Sequence, residues 1–269
     1  FSGTLYFNTF KGQADLEFMN MMNYDAMTFG NHEFDLGDSA DGHKALAEFV
    51  KKAEFPLISA NTNFAADPLF AGLQNVGFGG NDEAGEIFDG IIKEVNGEKV
   101  GIFGLTTAET EFISSPKAVK FTDYIAEAKA AVTYFEGQNV NKIVALTHLG
   151  FDDAYDNDLA LAGAVPEIDI IVGGHTHSKL EGGKLIDRPD SADTIIVQAN
   201  EYNKFLGELD VTFNDAGEIT SQTSVLHTVA DATADEAAAA ILKPYADEVA
   251  EVKNESTGVS TSVVLDGVR

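Results

Sequence analysis

The chain has 269 residues, enough for one large domain or two small ones with a full core. Seventeen Lys+Arg against 44 Asp+Glu give a net charge of -27, so its field repels nucleic acid polymers and anionic membrane surfaces. No Cys is present, which excludes disulfides and thiolate ligands and leaves N and O donors for any metal. There is also no run of about eighteen apolar residues that could span a membrane.

In chain order, Leu16, Met19 and Met22 fall at helical spacing and predict a short helix over 13–22, leading into a strand at 25–29. A second amphipathic helix carries Ala45, Leu46, Phe49 and Val50, and a strand follows at 56–60. Residues 61–85, rich in Asn, Gly and Ala, read as a long loop. Residues 87–95 and 99–105 flank Asn96-Gly97, a pair that tolerates positive φ at both turn positions, and so predict a β-hairpin. A helix over 123–137 ends at Gly137. A βαβ unit then runs from a strand at 142–147, through a helix at 156–162, to a strand at 168–172. Three antiparallel strands are expected at 194–199, 207–214 and 218–225, and an Ala-rich helix at 234–252. Residues 255–262, low in apolar side chains, read as a linker.

Three loops that follow apolar strands hold four of the six histidines: Phe29-Gly30-Asn31-His32-Glu33-Phe34-Asp35, Thr147-His148-Leu149-Gly150 and Gly173-Gly174-His175-Thr176-His177. Polar, Gly-flanked loops at the carboxyl ends of buried strands are where α/β sheets place their sites. Neutral imidazole suits mid-row divalent metals, and an Asn carbonyl adds one hard donor. His175 and His177 can diverge within a loop and serve neighbouring ions. Two ions about 3.5–4 Å apart are the usual arrangement for phosphate-ester hydrolysis. Asp35, three residues beyond His32, can turn back and fix its tautomer, making the imidazole a partner for a phosphate or leaving oxygen. His43 reads as a helix-surface residue, His227 as a strand-end residue and Glu33 as a solvated neighbour of the site. Phe1, Tyr6, Phe7 and Phe10 read as packing groups.

In order and spacing, these residues resemble the later motifs of the calcineurin-like metallophosphoesterases. Lys11-Gly12, the stretch from Tyr24 to Asp35, the His148 loop and the stretch from Asp169 to Ser178 are similar to the 5′-nucleotidase/2′,3′-cyclic phosphodiesterase branch. The likeness covers nearly the whole chain. It implies an α/β fold, a four-layered α/β/β/α sandwich with mixed sheets, here lacking its first strands. Asn31, His148 and His175 would ligate one metal and His177 the other, with His32 and Asp35 as the catalytic dyad. Also implied are two divalent ions (Zn, Mn, Fe or Co) in the intact enzyme and a small phosphate ester, a nucleotide, as substrate. The location implied is extracellular, periplasmic or at the cell surface.

The family's Asp-x-His and Gly-Asp motifs are not found in the chain, and Phe1-Ser2-Gly3-Thr4 resembles the segment just after them. Residues 264–269 look like the start of a C-terminal nucleotide-specificity domain. The expected organisation is therefore a catalytic domain over 1–254, incomplete at its N-terminus, with 255–269 as linker and first residues of the next domain. The ligands left are neutral, so the expectation for this chain is at most one weakly held ion and little or no activity. Two alternatives stand beside this reading: a non-catalytic binding module of the same fold, and a hydrolase of nucleotide sugars or sulfur esters in the same superfamily.

Overall fold

The computed structural model describes residues 2–80, 83–188, 192–256, 258 and 262; Phe1 and residues 264–269 lie outside this set. The chain opens with α1 (Leu5–Phe10) and α2 (Gln13–Met21), then β1 (Met27–Thr28) and a 3-10 helix (Asn31–Asp38). Next come α3 (Lys44–Lys52), β2 (Leu57–Ile58), β3 (Thr62–Asn63), β4 (Gln74–Asn75) and β5 (Ile87–Phe88). The hairpin β6 (Gly90–Val95) and β7 (Glu98–Thr106) leads to α4 (Thr110–Ile113), β8 (Lys120–Phe121) and α5 (Tyr124–Gly137). The βαβ unit is β9 (Ile143–His148), α6 (Asp158–Ala164) and β10 (Ile170–Val172). The described elements end with β11 (Lys184–Ile186), β12 (Thr194–Val197), β13 (Phe205–Phe213), β14 (Ile219–Thr228) and α7 (Glu236–Asn254).

Two sheets lie face to face. The first, in the order β1-β2-β5-β4, is parallel throughout. The second, β11-β12-β10-β9-β7-β6, has four parallel central strands and an antiparallel strand at each edge. Helices α2 and α3 cover the outer face of the first sheet, where Leu16, Met19, Leu46, Phe49 and Val50 pack on Phe29, Leu57 and Ile87. Helix α5 covers the second. Its Ala128, Ala131, Val132 and Phe135 recur at helical spacing and pack with Phe103, Ile143 and Ala145, while Leu161 and Ala162 of α6 join the same cluster. Asp123 caps α5, accepting the Ala126 N–H at 2.7 Å. Between the sheets, Ile58 and Phe88 meet Ile91, Ile102 and Leu146. Gly104 lets the backbones approach there, since a Cβ would fall 2.1 Å from the Ile58 carbonyl. The expected α/β/β/α layering is therefore present.

Several local expectations need correction. Residues 87–95 do not form one hairpin arm: β5 joins the first sheet, Asp89 breaks the run, and β6 joins the second. The strand at 194–197 is not part of an antiparallel set with β13 and β14. It pairs parallel to β10 and antiparallel to β11, while β13 and β14 form a separate hairpin. The loop over 61–85 contains two short strands, β3 paired with β8 and β4 with β5. His43 is not a surface residue. It is 2% exposed, with Nδ1 2.8 Å from Asp67 Oδ2 and its ring edge-on to Phe34.

Candidate metal centre

The first loop is shaped by its 3-10 geometry. With three residues per turn, residues i and i+3 eclipse. Asn31 and Phe34 share the buried edge, His32 and Asp35 the next, and Glu33 reaches back over Gly30. Phe34 is fully buried against Phe29, Phe64 and Phe121, which seats the turn, and Asn31 is held inward at 4% exposure. Glu33 Oε2 accepts the Gly30 N–H at 2.6 Å, so Glu33 is a local brace and not a solvated bystander. His32 Nδ1 lies 2.8 Å from Asp35 Oδ2, and Asp35 Oδ1 accepts from Ser114 Oγ at 2.8 Å. Asp35 thus turns back as its spacing suggested.

The other two loops leave adjacent strands of the second sheet. His148 is the last residue of β9, its ring wedged between two glycines. A Cβ on Gly30 would sit 2.8 Å from His148 Cε1, and one on Gly174 would sit 3.0 Å from Nδ1. His175 and His177 both adopt left-handed backbone conformations, φ 71° and 54°, which a non-glycine residue holds only when its surroundings dictate it. They do so through Gln198, 3% exposed just past β12. Its Nε2 donates to the Gly174 carbonyl at 2.6 Å and its Oε1 accepts from the Ser178 N–H. Asn200 Nδ2 donates to the His177 carbonyl at 2.9 Å.

Three donors converge. Asn31 Oδ1 stands 2.9 Å from His148 Nε2 and 3.2 Å from His175 Nδ1. Ligands around one divalent ion with bonds of 2.0–2.2 Å sit roughly 3.0–3.5 Å apart, so this spacing fits a shared ion. Burial, then the neighbouring His175 and His32, push the His148 imidazole down to about 3, so it is neutral and offers a lone pair at physiological pH. His177 diverges from this group. It is half-exposed, with Nδ1 2.9 Å from Glu201 Oε2, and Lys204 holds that carboxyl below the usual range. Thus Asn31, His148 and His175 come together, while His32, Asp35 and His177 stand beside them. His227 lies on exposed β14, paired with Glu208.

Two carboxylates were missed in the sequence. Glu109, at the start of α4, has Oε2 3.5 Å from His175 Nε2, and Asp153 joins them so that one ligand atom of each lies within 4.8 Å of the others. The available signal was position: Glu109 follows β7, which lies beside β9 in the sheet, but its loop carries no histidine. These groups alter the expectation of an all-neutral surrounding, since negative charge stands at the far end of the His175 ring.

The sequence profile of the family described as Calcineurin-like phosphoesterase matches residues 6–179. Curated relatives include the trifunctional nucleotide phosphoesterase protein YfkN of Bacillus subtilis (strain 168), 41% identical over all of this chain and 19% of that protein. The snake venom 5′-nucleotidase of Crotalus adamanteus is 35% identical over 81% of this chain and 36% of its own length. The chain therefore spans well under two thirds of either relative. Among solved structures, the 5′-nucleotidase precursor from Thermus thermophilus superposes with a TM-score of 0.81 at 36% identity, over 95% of this chain and 49% of that one.

Proposed function

Because the chain belongs to the calcineurin-like phosphoesterase family, we propose that it forms the metal-binding core of a nucleotide phosphoesterase, a hydrolase of nucleoside 5′-phosphates or closely related esters. The observation that carries this reading is the convergence of Asn31 Oδ1, His148 Nε2 and His175 Nδ1. Their spacing suits one divalent ion of the Zn, Mn, Fe or Co group. An ion held there supplies Lewis-acid stabilisation of charge on the phosphoryl group.

The protein's own residues do the rest. Buried Asn31 and neutral His148 present fixed donors, so the site needs little reorganisation. His32 has Nδ1 committed to Asp35, which leaves Nε2 as the free end to hydrogen-bond a phosphoryl or leaving oxygen. His177 and Glu201 stand ready as ligands toward a second ion. The neutral trio alone cannot hold a close ion pair, since two +2 charges about 4 Å apart repel by on the order of 16 kcal/mol even at an effective dielectric of 20. A second ion therefore requires further carboxylates, and we assign the two-ion form to a protein of its relatives' length. The snake venom relative favours an extracytoplasmic site of action, and among the described residues no helix is long and apolar enough to cross a membrane.

Calorimetry with Mn²⁺ tests the centre on this chain. One ion is expected, lost in Asn31→Ala, His148→Ala and His175→Ala. Hydrolysis of a nucleoside 5′-phosphate by the longer protein should stop on chelation. Binding unaffected by all three substitutions, or turnover undiminished after exhaustive chelation, would refute the proposal.

A further inference from the structure

The centre needs Asn31 at a fixed distance from His148, yet the two come from different sheets. Asn31 follows β1 of the first, and His148 ends β9 of the second. Between them lies a fully buried hydroxyl that the mechanism leaves unused. Thr106, the last residue of β7, is registered directly beside His148. Its Oγ1 reaches across to the other sheet and donates to the Phe29 carbonyl at 2.9 Å. Resting on the metal-centre reading above, we infer that Thr106 is a positioning residue: its hydroxyl holds the Phe29–Gly30 peptide and so sets Asn31 Oδ1 against His148 Nε2.

That peptide unit is gripped at both ends. Its C=O accepts from the Thr106 hydroxyl, and its N–H, from Gly30, donates to Glu33 Oε2 at 2.6 Å. A planar peptide held at both polar atoms is fixed in orientation, and Asn31 is the residue that follows it. Glu33 belongs to the same 3-10 helix as Asn31, so it braces the loop within itself, whereas Thr106 ties the loop to the sheet that carries His148. Thr106 is in turn held by its backbone. Asn61 Nδ2 donates to the Thr106 carbonyl at 2.7 Å, and Asn61 Oδ1 accepts the Thr106 N–H at 2.9 Å. The next residue, Thr107, donates its N–H to the His148 carbonyl at 3.0 Å. The hydroxyl is therefore placed by the His148 strand and not by the loop it holds. Ser59 Oγ stands 3.2 Å from Thr106 Oγ1 but has Thr62 Oγ1 closer, at 2.7 Å. Removing the Thr106 hydroxyl thus falls on the Phe29 carbonyl, a buried acceptor that loses this donor.

The test uses the 269-residue chain, with Mn²⁺ calorimetry and, free of ions, the NOE between the Asn31 side-chain amide and the His148 ring. Thr106→Val keeps the shape and β-branching and removes the hydroxyl. It should raise the Kd for Mn²⁺ about tenfold, the low end of what losing a hydrogen bond behind a metal ligand costs, and weaken the NOE. Thr106→Ser retains the hydroxyl and should restore both. Thr106→Ala, a second variant without it, should match Thr106→Val. Thr194→Val is the control: it removes a buried hydroxyl that donates to the Ile168 carbonyl at 2.6 Å, at the opposite end of the second sheet. It should lower stability and leave the Kd unchanged. An unchanged Kd and NOE in Thr106→Val would overturn the inference. So would a Kd raised equally in Thr194→Val or in Thr106→Ser. If wild type binds no Mn²⁺, the metal reading fails by itself, while the ion-free NOE still decides the role of Thr106.

Discussion

Substituting Gly30 with alanine would probe how tightly the His148 ring is held. Gly30 has φ -100° and ψ 177°, an ordinary extended conformation, so the new methyl meets no backbone penalty. It would, however, lie 2.8 Å from Cε1 and 2.9 Å from both Nδ1 and Nε2 of His148. Three ring atoms at nearly equal distance mean that the methyl sits over the ring face. Non-bonded carbon contacts prefer about 3.5–4.0 Å, so the ring must retreat by roughly 0.6 Å or more. Overpacking of this kind costs about 1–3 kcal/mol. The same retreat pulls Nε2 from its 2.9 Å position at Asn31, and ion affinity should fall about tenfold or more. Urea unfolding of the ion-free chain should show a lower midpoint with an unchanged slope. In a His148→Ala background the ring is gone, and the sign should reverse. Gly→Ala at a compatible φ stabilises by about 0.4–1 kcal/mol by restricting the unfolded chain. The same destabilisation in both backgrounds would refute the wedged-ring account.

His32→Asn, measured in a form that turns over a nucleoside 5′-phosphate, should lower kcat by about 10²–10⁴ with bound metal unchanged; loss of metal alongside activity would make His32 a ligand. His43→Ala removes a buried ring and strands Asp67 Oδ2, and should cost about 2–4 kcal/mol in urea unfolding while leaving ion affinity intact; a cost under about 1 kcal/mol would contradict the packing described. Burial pushes Asp158 up from 3.8 to about 7. Between these values the folded chain keeps a proton that the unfolded chain releases, so this contribution to stability is complete below about pH 4 and lost as pH rises through 7. Asp158→Asn cannot ionise, and its stability should gain on wild type by up to about 4 kcal/mol between pH 4 and 8. Parallel stability profiles would argue against a buried, proton-holding Asp158.

What could be read from the sequence was what is encoded locally. The strand-end loops carry their own marks: an apolar run, flanking Gly and a cluster of His. The Asn96-Gly97 turn sits where its positive φ was expected. His43 was misread because the groups that bury it, Asp67 and Ser115, lie 24 and 72 residues away. The division of residues 87–95 between two sheets was hidden for a similar reason, since nothing at Asp89 says which sheet each side joins. β11 has only three residues at a sheet edge, too few for periodicity to register. Glu109 and Asp153 were lost among 44 acidic residues, because only the packing of neighbouring strands brings them to His175.

Asn31 hangs from a strand of the first sheet, whereas His148 and His175 leave strands of the second. The seam between the sheets is otherwise an apolar contact around Ile58, Phe88 and Ile91 and a few buried hydrogen bonds, among them Thr106 Oγ1 to the Phe29 carbonyl at 2.9 Å and the Ala60 N–H to the Gly104 carbonyl at 2.8 Å. An ion shared by these three donors would act as a weld across that seam, because neither sheet could open without surrendering it. By mass action, ion at 100 times its Kd adds about 2.7 kcal/mol to the cost of opening either half. Amide hydrogen exchange should therefore slow together in β1–β2 and in β9–β10 as ion is added, joining two cooperative units into one.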